Sequence, residues 1–95
     1  MSINDSVRTI EVRVILSGRN YELADSVPGQ LTLPEGASLD DALRALALLV
    51  PSDRVLPRSA LVAVSGTHLG TVERHRPQVL HDGDELLVLA PVAGG

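Results

Sequence analysis

Ninety-five residues with a formal net charge of −4, from 12 acidic and 8 basic side chains, make one small domain with room for a single core but not for a deep substrate cleft. The acidic balance and the lone aromatic, Tyr21, exclude recognition of nucleic acid by phosphate neutralisation and base stacking. The absence of cysteine excludes a disulfide framework, a zinc–thiolate site and a thiolate nucleophile on this chain. No apolar run approaches the ~20 residues that span a bilayer, and polar Met1 to Val7 lacks the basic-then-apolar order of a secretory signal, so the expected compartment is the cytosol with no membrane partner. All eight basic residues are arginine, so the chain has no side-chain amine through which copies of itself could be joined.

Along the chain, Thr9 to Leu16 alternates: Ile10, Val12, Val14 and Leu16 fall on one face, with Glu11, Arg13 and Ile15 on the other, the period of a first strand. Ser17 to Gly29 is polar and broken by Gly18, Asn20 and Pro28, a loop with a short turn around Tyr21 to Ala24. Gln30 to Leu33 gives a second strand, stopped by Pro34-Glu35-Gly36. Ser38 is placed to cap a helix, with Asp41 three residues on in the capping-box position and Asp40 also in the first turn. Leu39, Ala42, Leu43, Leu46, Leu49 and Val50 form its apolar stripe, and Pro51 closes it. After a connector from Pro51 to Arg58, Leu61 to Ser65 reads as a third strand ending at Gly66. Leu69 to Val72 reads as a brief strand and Gln78 to Leu80 as a helical or 3₁₀ turn. Asp82-Gly83 is a turn pair, and Glu85 to Ala90 an apolar final strand.

Candidate reactive side chains are few. His68, His75 and His81 are separated by seven and six residues across expected loops, not by the three or four that set two ligands on one helical face, so no metal site is expected. Asp82, Asp84 and Glu85 lack the length and alternating ligands of a calcium loop, and solvation of a turn and strand edge accounts for them better. The serines show no nucleophile-elbow pattern, and neither a GK[ST] phosphate loop nor a GxGxxG is present, so no nucleotide cofactor is expected on this chain. Asp40, Asp41 and Arg44 fit a solvated helix face.

The sequence ends in Pro91-Val92-Ala93-Gly94-Gly95. Two glycines in succession make a thin segment around which another protein's backbone can close. Extended at ~3.3–3.6 Å per residue, Val92 to Gly95 would carry the terminal carboxylate ~13–14 Å beyond the last paired strand residue. The carboxylate of Gly95 is therefore the expected reactive group. The corresponding division is a flexible arm over residues 1–8, a domain over 9–90 and a projecting tail over 91–95.

Strand, strand, capped helix, strand, irregular segment and final strand is the order of an α+β β-grasp domain, a mixed sheet wrapped around one main helix. Ala63-Val64-Ser65-Gly66, the Asp82-Gly83-Asp84-Glu85 turn, the apolar final strand and Pro91 to Gly95 together resemble the ubiquitin-like sulfur carriers, above all the small subunit of molybdopterin synthase, over Ile10 to Gly95. That resemblance implies a partner adenylyltransferase, related to ubiquitin-activating enzymes, that spends ATP to form an acyl-adenylate on Gly95. Sulfur from a donor such as a sulfurtransferase then replaces AMP to leave a thiocarboxylate. Gly95 would carry the sulfur, Gly94 permit narrow passage, and Pro91, Val92 and Ala93 set the exit direction into the large subunit of molybdopterin synthase, the chain being a sulfur donor with no catalysis of its own. Ala90 stands before Pro91 where molybdopterin-branch relatives often carry a second proline, and Leu87, Val88 and Leu89 stand in place of aromatics. Carriers for thiamine, cysteine or another sulfur metabolite therefore stay open, as does a ubiquitin-like modifier joined by isopeptide bonds to lysines of other proteins.

Overall fold

The computed structural model describes residues 8–18, 29–49 and 58–90. Five strands form one mixed sheet: β1 (Thr9–Gly18), β2 (Gln30–Pro34), β3 (Leu61–Val64), β4 (Thr67–Thr71) and β5 (Glu85–Ala90), with helix α1 (Leu39–Leu49) between β2 and β3 in sequence. Their spatial order is β2-β1-β5-β3-β4. The first and last strands lie side by side in parallel, Val14 opposite Leu86 and Leu16 opposite Val88, while β2 pairs with β1, and β3 with both β5 and β4, in antiparallel fashion. This is the β-grasp architecture expected from the order of elements.

Alternation decides which face is buried. Ile10, Val12 and Val14 of β1, Leu31 and Leu33 of β2, Val62 and Val64 of β3, and Leu86, Val88 and Ala90 of β5 all turn into one core, and Leu39, Ala42, Leu43 and Leu46 of α1 fill it from the helix side. β1 runs two residues beyond the expected Leu16, because Ser17 and Gly18 find partners in Leu89 and Ala90 of the parallel neighbour. The long-range pairing overrides the local polarity of Ser-Gly.

The helix begins as read from sequence. The Ser38 N–H donates to Asp41 Oδ2 at 2.9 Å and the Asp41 N–H returns to Ser38 Oγ at 3.2 Å, the reciprocal pair of a capping box. Its apolar stripe is shorter than expected: Leu49 is 42% exposed and Leu48 86%, so burial stops at Leu46. Val50 and most of the 51–58 connector, with the 17–29 loop beyond Gly18 and before Gly29, lie outside the described residues.

Two local expectations change. β3 ends at Val64, not Ser65, since Ser65 and Gly66 take φ of 47° and 87° and form the tight turn into β4, joining β3 and β4 as a hairpin. β4 also starts earlier than expected, at Thr67, and carries a bulge that turns Leu69 into the core. Gln78 to Leu80 is extended rather than helical. The Leu39 N–H donates to the Gln78 carbonyl and the Leu80 N–H to the Ala37 carbonyl, both at 2.8 Å. These two bonds tie the segment in extended form to the entry of α1, where Leu80 is buried.

Candidate functional site

The tail that the sequence singles out, Pro91, Val92, Ala93, Gly94 and Gly95, lies outside the described residues; its root does not. β5 occupies the middle of the sheet, between β1 and β3, and Leu86, Val88 and Ala90 are almost completely buried. Ala90, the residue to which the tail is joined, pairs with Gly18. A strand held on both edges and packed on one face gives the following segment a fixed point of departure.

The Asp82-Gly83-Asp84-Glu85 turn sets the register of that strand. Gly83 adopts φ of 87°, where a side chain would be strained. Its N–H donates to the Glu11 carbonyl at 2.9 Å, while Asp82 Oδ1 accepts the Glu11 N–H at 2.8 Å. The Arg13 N–H then donates to the Asp84 carbonyl at 2.9 Å, which leads directly into the β1–β5 ladder. Asp84 ties in a third strand, for its carboxylate accepts the Ser65 hydroxyl at 2.7 Å and the His81 N–H at 2.8 Å. The Ser65 N–H donates to the Glu85 carbonyl at 2.8 Å. Sequence reading identified this turn but assigned its acids to solvation. Asp82 and Asp84 are instead hydrogen-bond acceptors for backbone of β1 and for the β3–β4 turn, a role that depends on contacts 19 to 71 residues apart in sequence.

The other singled-out side chains are kept apart. His75 is clasped between the Thr71 carbonyl at 2.9 Å from Nδ1 and Asp40 Oδ1 at 2.6 Å from Nε2, joining the segment after β4 to the first turn of α1. Asp40 is thus a partner of His75 rather than a free surface acid. Asp41 holds the cap, and its carboxyl lies below the ordinary aspartate range because the Ser38 N–H, then the Ser38 hydroxyl, and finally the Arg44 guanidinium favour its charged form. His81 is exposed and His68 faces a shallow apolar groove with Leu61, Ala63, Leu87 and Leu89. Among the described residues no three His, Asp or Glu side chains come together in a way that could hold a metal ion, and no helix is long and apolar enough to cross a membrane.

Residues 14–95 match the model of the ThiS family, whose span includes the whole tail. An uncharacterized protein of Archaeoglobus fulgidus is 31% identical over 91 residues, covering 90% of this chain and all of the relative. Two solved structures from Haloferax volcanii are similar in fold. The HVO 2177 protein, determined in solution, is 24% identical with a TM-score of 0.57, the match covering 92% of this chain and 88% of that one. The crystal structure of small archaeal modifier protein 1 is 20% identical with a TM-score of 0.53, over 88% of this chain and 98% of its own.

Proposed function

The chain belongs to the ThiS family, and from that membership we propose that it is a ubiquitin-like sulfur carrier whose Gly95 carboxylate is adenylated by a partner enzyme and converted to a thiocarboxylate. The observation that carries the reading is the family match running through Gly95 together with the seating of β5, in the centre of the sheet and one residue short of Pro91. A free carboxylate is a poor electrophile. Attack of a Gly95 oxygen on the α-phosphorus of ATP releases pyrophosphate and leaves AMP as a good leaving group, which a sulfur nucleophile can then displace at the glycyl carbon. The product carries nucleophilic sulfur on a chain that has no cysteine to hold it. ATP is bound by the activating partner, a ubiquitin-activating-like adenylyltransferase, and a sulfurtransferase supplies the sulfur.

The acceptor in this proposal is the large subunit of a molybdopterin synthase, into which Pro91, Val92, Ala93 and Gly94 lead Gly95; the Ala63 to Gly66 turn, the Asp82 to Glu85 turn and the Pro91 to Gly95 ending support that choice. A second reading, a protein modifier forming isopeptide bonds from Gly95, is favoured by the fold shared with small archaeal modifier protein 1. Incubation with the host's adenylyltransferase, ATP and a sulfur source tests the first: the intact mass should change by one oxygen-to-sulfur exchange. Removal of Gly94 and Gly95 should abolish that change while the circular dichroism spectrum is retained. Equal thiolation of the shortened chain would overturn the assignment to Gly95, and adducts on target lysines in host extracts would favour the modifier.

A further inference from the structure

Of the seven aspartates and two asparagines in the chain, Asp82 alone is followed by glycine. That pairing has a chemistry of its own. A glycine has no Cβ to obstruct its nitrogen, which can attack the side-chain carboxyl carbon of the aspartate before it. A C–N bond forms, the carboxyl OH leaves as water with the proton of the nitrogen, and a five-membered succinimide results. Water then opens the ring at either carbonyl. Opening at Cγ restores aspartate, whereas opening at the main-chain carbonyl leaves isoaspartate, in which the backbone runs through the side chain and is longer by one methylene. The water lost in the first step returns in the second, so no co-reactant is needed and the mass is unchanged. His81, Asp82 and Gly83 are all exposed, so water reaches the linkage.

The fold opposes the first step at both reacting groups. The Gly83 N–H donates to the Glu11 carbonyl at 2.9 Å, and Asp82 Oδ1 accepts the Glu11 N–H at 2.8 Å, so each is held to β1 rather than to the other. The turn adds a torsional bar. The Asp84 N–H donates to the His81 carbonyl at 3.0 Å, Gly83 has a φ of 87° and Asp82 a negative one, the combination of a type II turn, whose first central residue takes ψ of about +120°. At that ψ the Gly83 nitrogen stands well away from the Asp82 Cβ about the Cα–C bond, but ring closure needs the two nearly eclipsed. Asp84 anchors the far side of the turn, its carboxylate accepting the Ser65 hydroxyl and the His81 N–H. The succinimide can therefore form only after Glu11 releases both groups and Asp82 rotates, which is a local opening of the turn.

We propose that Asp82-Gly83 is a site of spontaneous isoaspartate formation that the fold holds closed through the backbone of Glu11, and that rearrangement there unseats β5. In isoaspartate the carboxylate sits on Cα and the following N–H lies one bond further along the chain. Glu11 can then no longer meet both with its own N–H and carbonyl at their former spacing. The next contacts along the seam are the Arg13 N–H on the Asp84 carbonyl at 2.9 Å, then Arg13 opposite Glu85 and Val14 opposite Leu86, and a displaced entry is felt there first. Because β5 ends at Ala90, directly before Pro91, the damage reaches the root of the tail whatever Gly95 carries.

The test ages the full chain at neutral pH, folded in buffer or unfolded in guanidinium. Isoaspartate is counted by methyl transfer from labelled S-adenosylmethionine with a protein isoaspartyl methyltransferase, and located by peptide mapping. It should form at position 82 about tenfold or more faster in the unfolded chain, since the folded one reacts only through its open population. Asp84→Ala, which loosens the turn through Ser65 and His81, should raise the folded rate about threefold or more. Equal rates in folded and unfolded chains, an unchanged folded rate in Asp84→Ala, or no isoaspartate at 82 in either state would overturn the gated site. The isoaspartyl form, separated chromatographically from aged folded protein, should exchange its Arg13 amide about tenfold faster than fresh chain. The Thr71 amide, bonded to the Arg74 carbonyl at the far edge of the sheet, should keep its rate. Native exchange at Arg13 would overturn the unseating of β5. Acceleration at Thr71 as large as at Arg13 would do so too, because it marks loss of the whole fold rather than of the β1–β5 seam.

Discussion

At the scale of single residues, three positions carry consequences out of proportion to their size. The Ser38–Asp41 box satisfies N–H groups at the start of α1 that the helix itself leaves unpaired. Ser38→Ala should cost about 1 kcal/mol, a fall in melting temperature of about 4–8 °C by calorimetry. Because Asp41 titrates below its unfolded-state value, the stabilisation it gives is complete above the ordinary aspartate pKa and is lost as the pH falls through the lower folded-state one. Asp41→Asn should therefore be less stable than wild type at neutral pH, with the gap closing in acid, as denaturant titrations across that range would show. Gly70 is constrained differently. It sits at φ of 131°, and a Cβ there would collide with the Arg74 carbonyl oxygen and come within 2.9 Å of the His75 Cα, both parts of a backbone held in place by the Thr71 N–H to Arg74 carbonyl bond. Gly70→Ala should lower stability by about 2–3 kcal/mol in denaturant unfolding.

At the scale of elements, β5 and the turn before it decide how the tail is presented. Replacing Leu86, fully buried beneath α1's side of the sheet, by alanine should cost about 2–5 kcal/mol through lost burial and a residual cavity. Asp84→Ala acts otherwise. It removes the charged acceptor of the Ser65 hydroxyl and the His81 N–H, leaving both exposed donors to water, and should cost about 1–3 kcal/mol. Hydrogen exchange should quicken first at the Arg13 and Ser65 amides, which bond to the carbonyls of Asp84 and Glu85. Uniform acceleration across the sheet would show instead that the turn has no local role. α1 contributes by filling the core, and its exposed C-terminal leucines, Leu48 and Leu49, take no part in that contact.

At the scale of the molecule, this ubiquitin-like ThiS-family domain closes its sheet with its last strand, so the chain cannot complete its core until β5 inserts between β1 and β3. A chain ending at Asp84 loses Leu86, Val88 and Ala90 from the core and should show no cooperative thermal transition, whereas a chain lacking only Gly94 and Gly95 keeps all three. Long-range pairing of this kind also places folding on a slower timescale than that of helical bundles of equal size.

Much of this was legible in the chain. Period-2 alternation in β1 and β5, the Ser38 cap, the turn glycine at 83 and the helical stripe as far as Leu46 are local signals, set by backbone geometry and by which side chains reject water, and they sufficed to determine a β-grasp order of elements and to direct attention to the terminal glycines. Other features required the folded chain. The extension of β1 through Gly18, the straight course of Gln78 to Leu80 and the clasp of His75 by Asp40 arise from partners distant in sequence, whose pull exceeds local propensity. The same holds for the face of the sheet opposite α1. Ile15, Leu61 and Leu87 are merely the outward positions of three separate strands until the mixed sheet sets them side by side, next to acids that the sequence scatters from Glu11 to Glu85. Sequence alone determined what kind of domain carries the diglycine; tertiary structure decided what surrounds its root, because surface chemistry is created by adjacency and adjacency is a property of the fold.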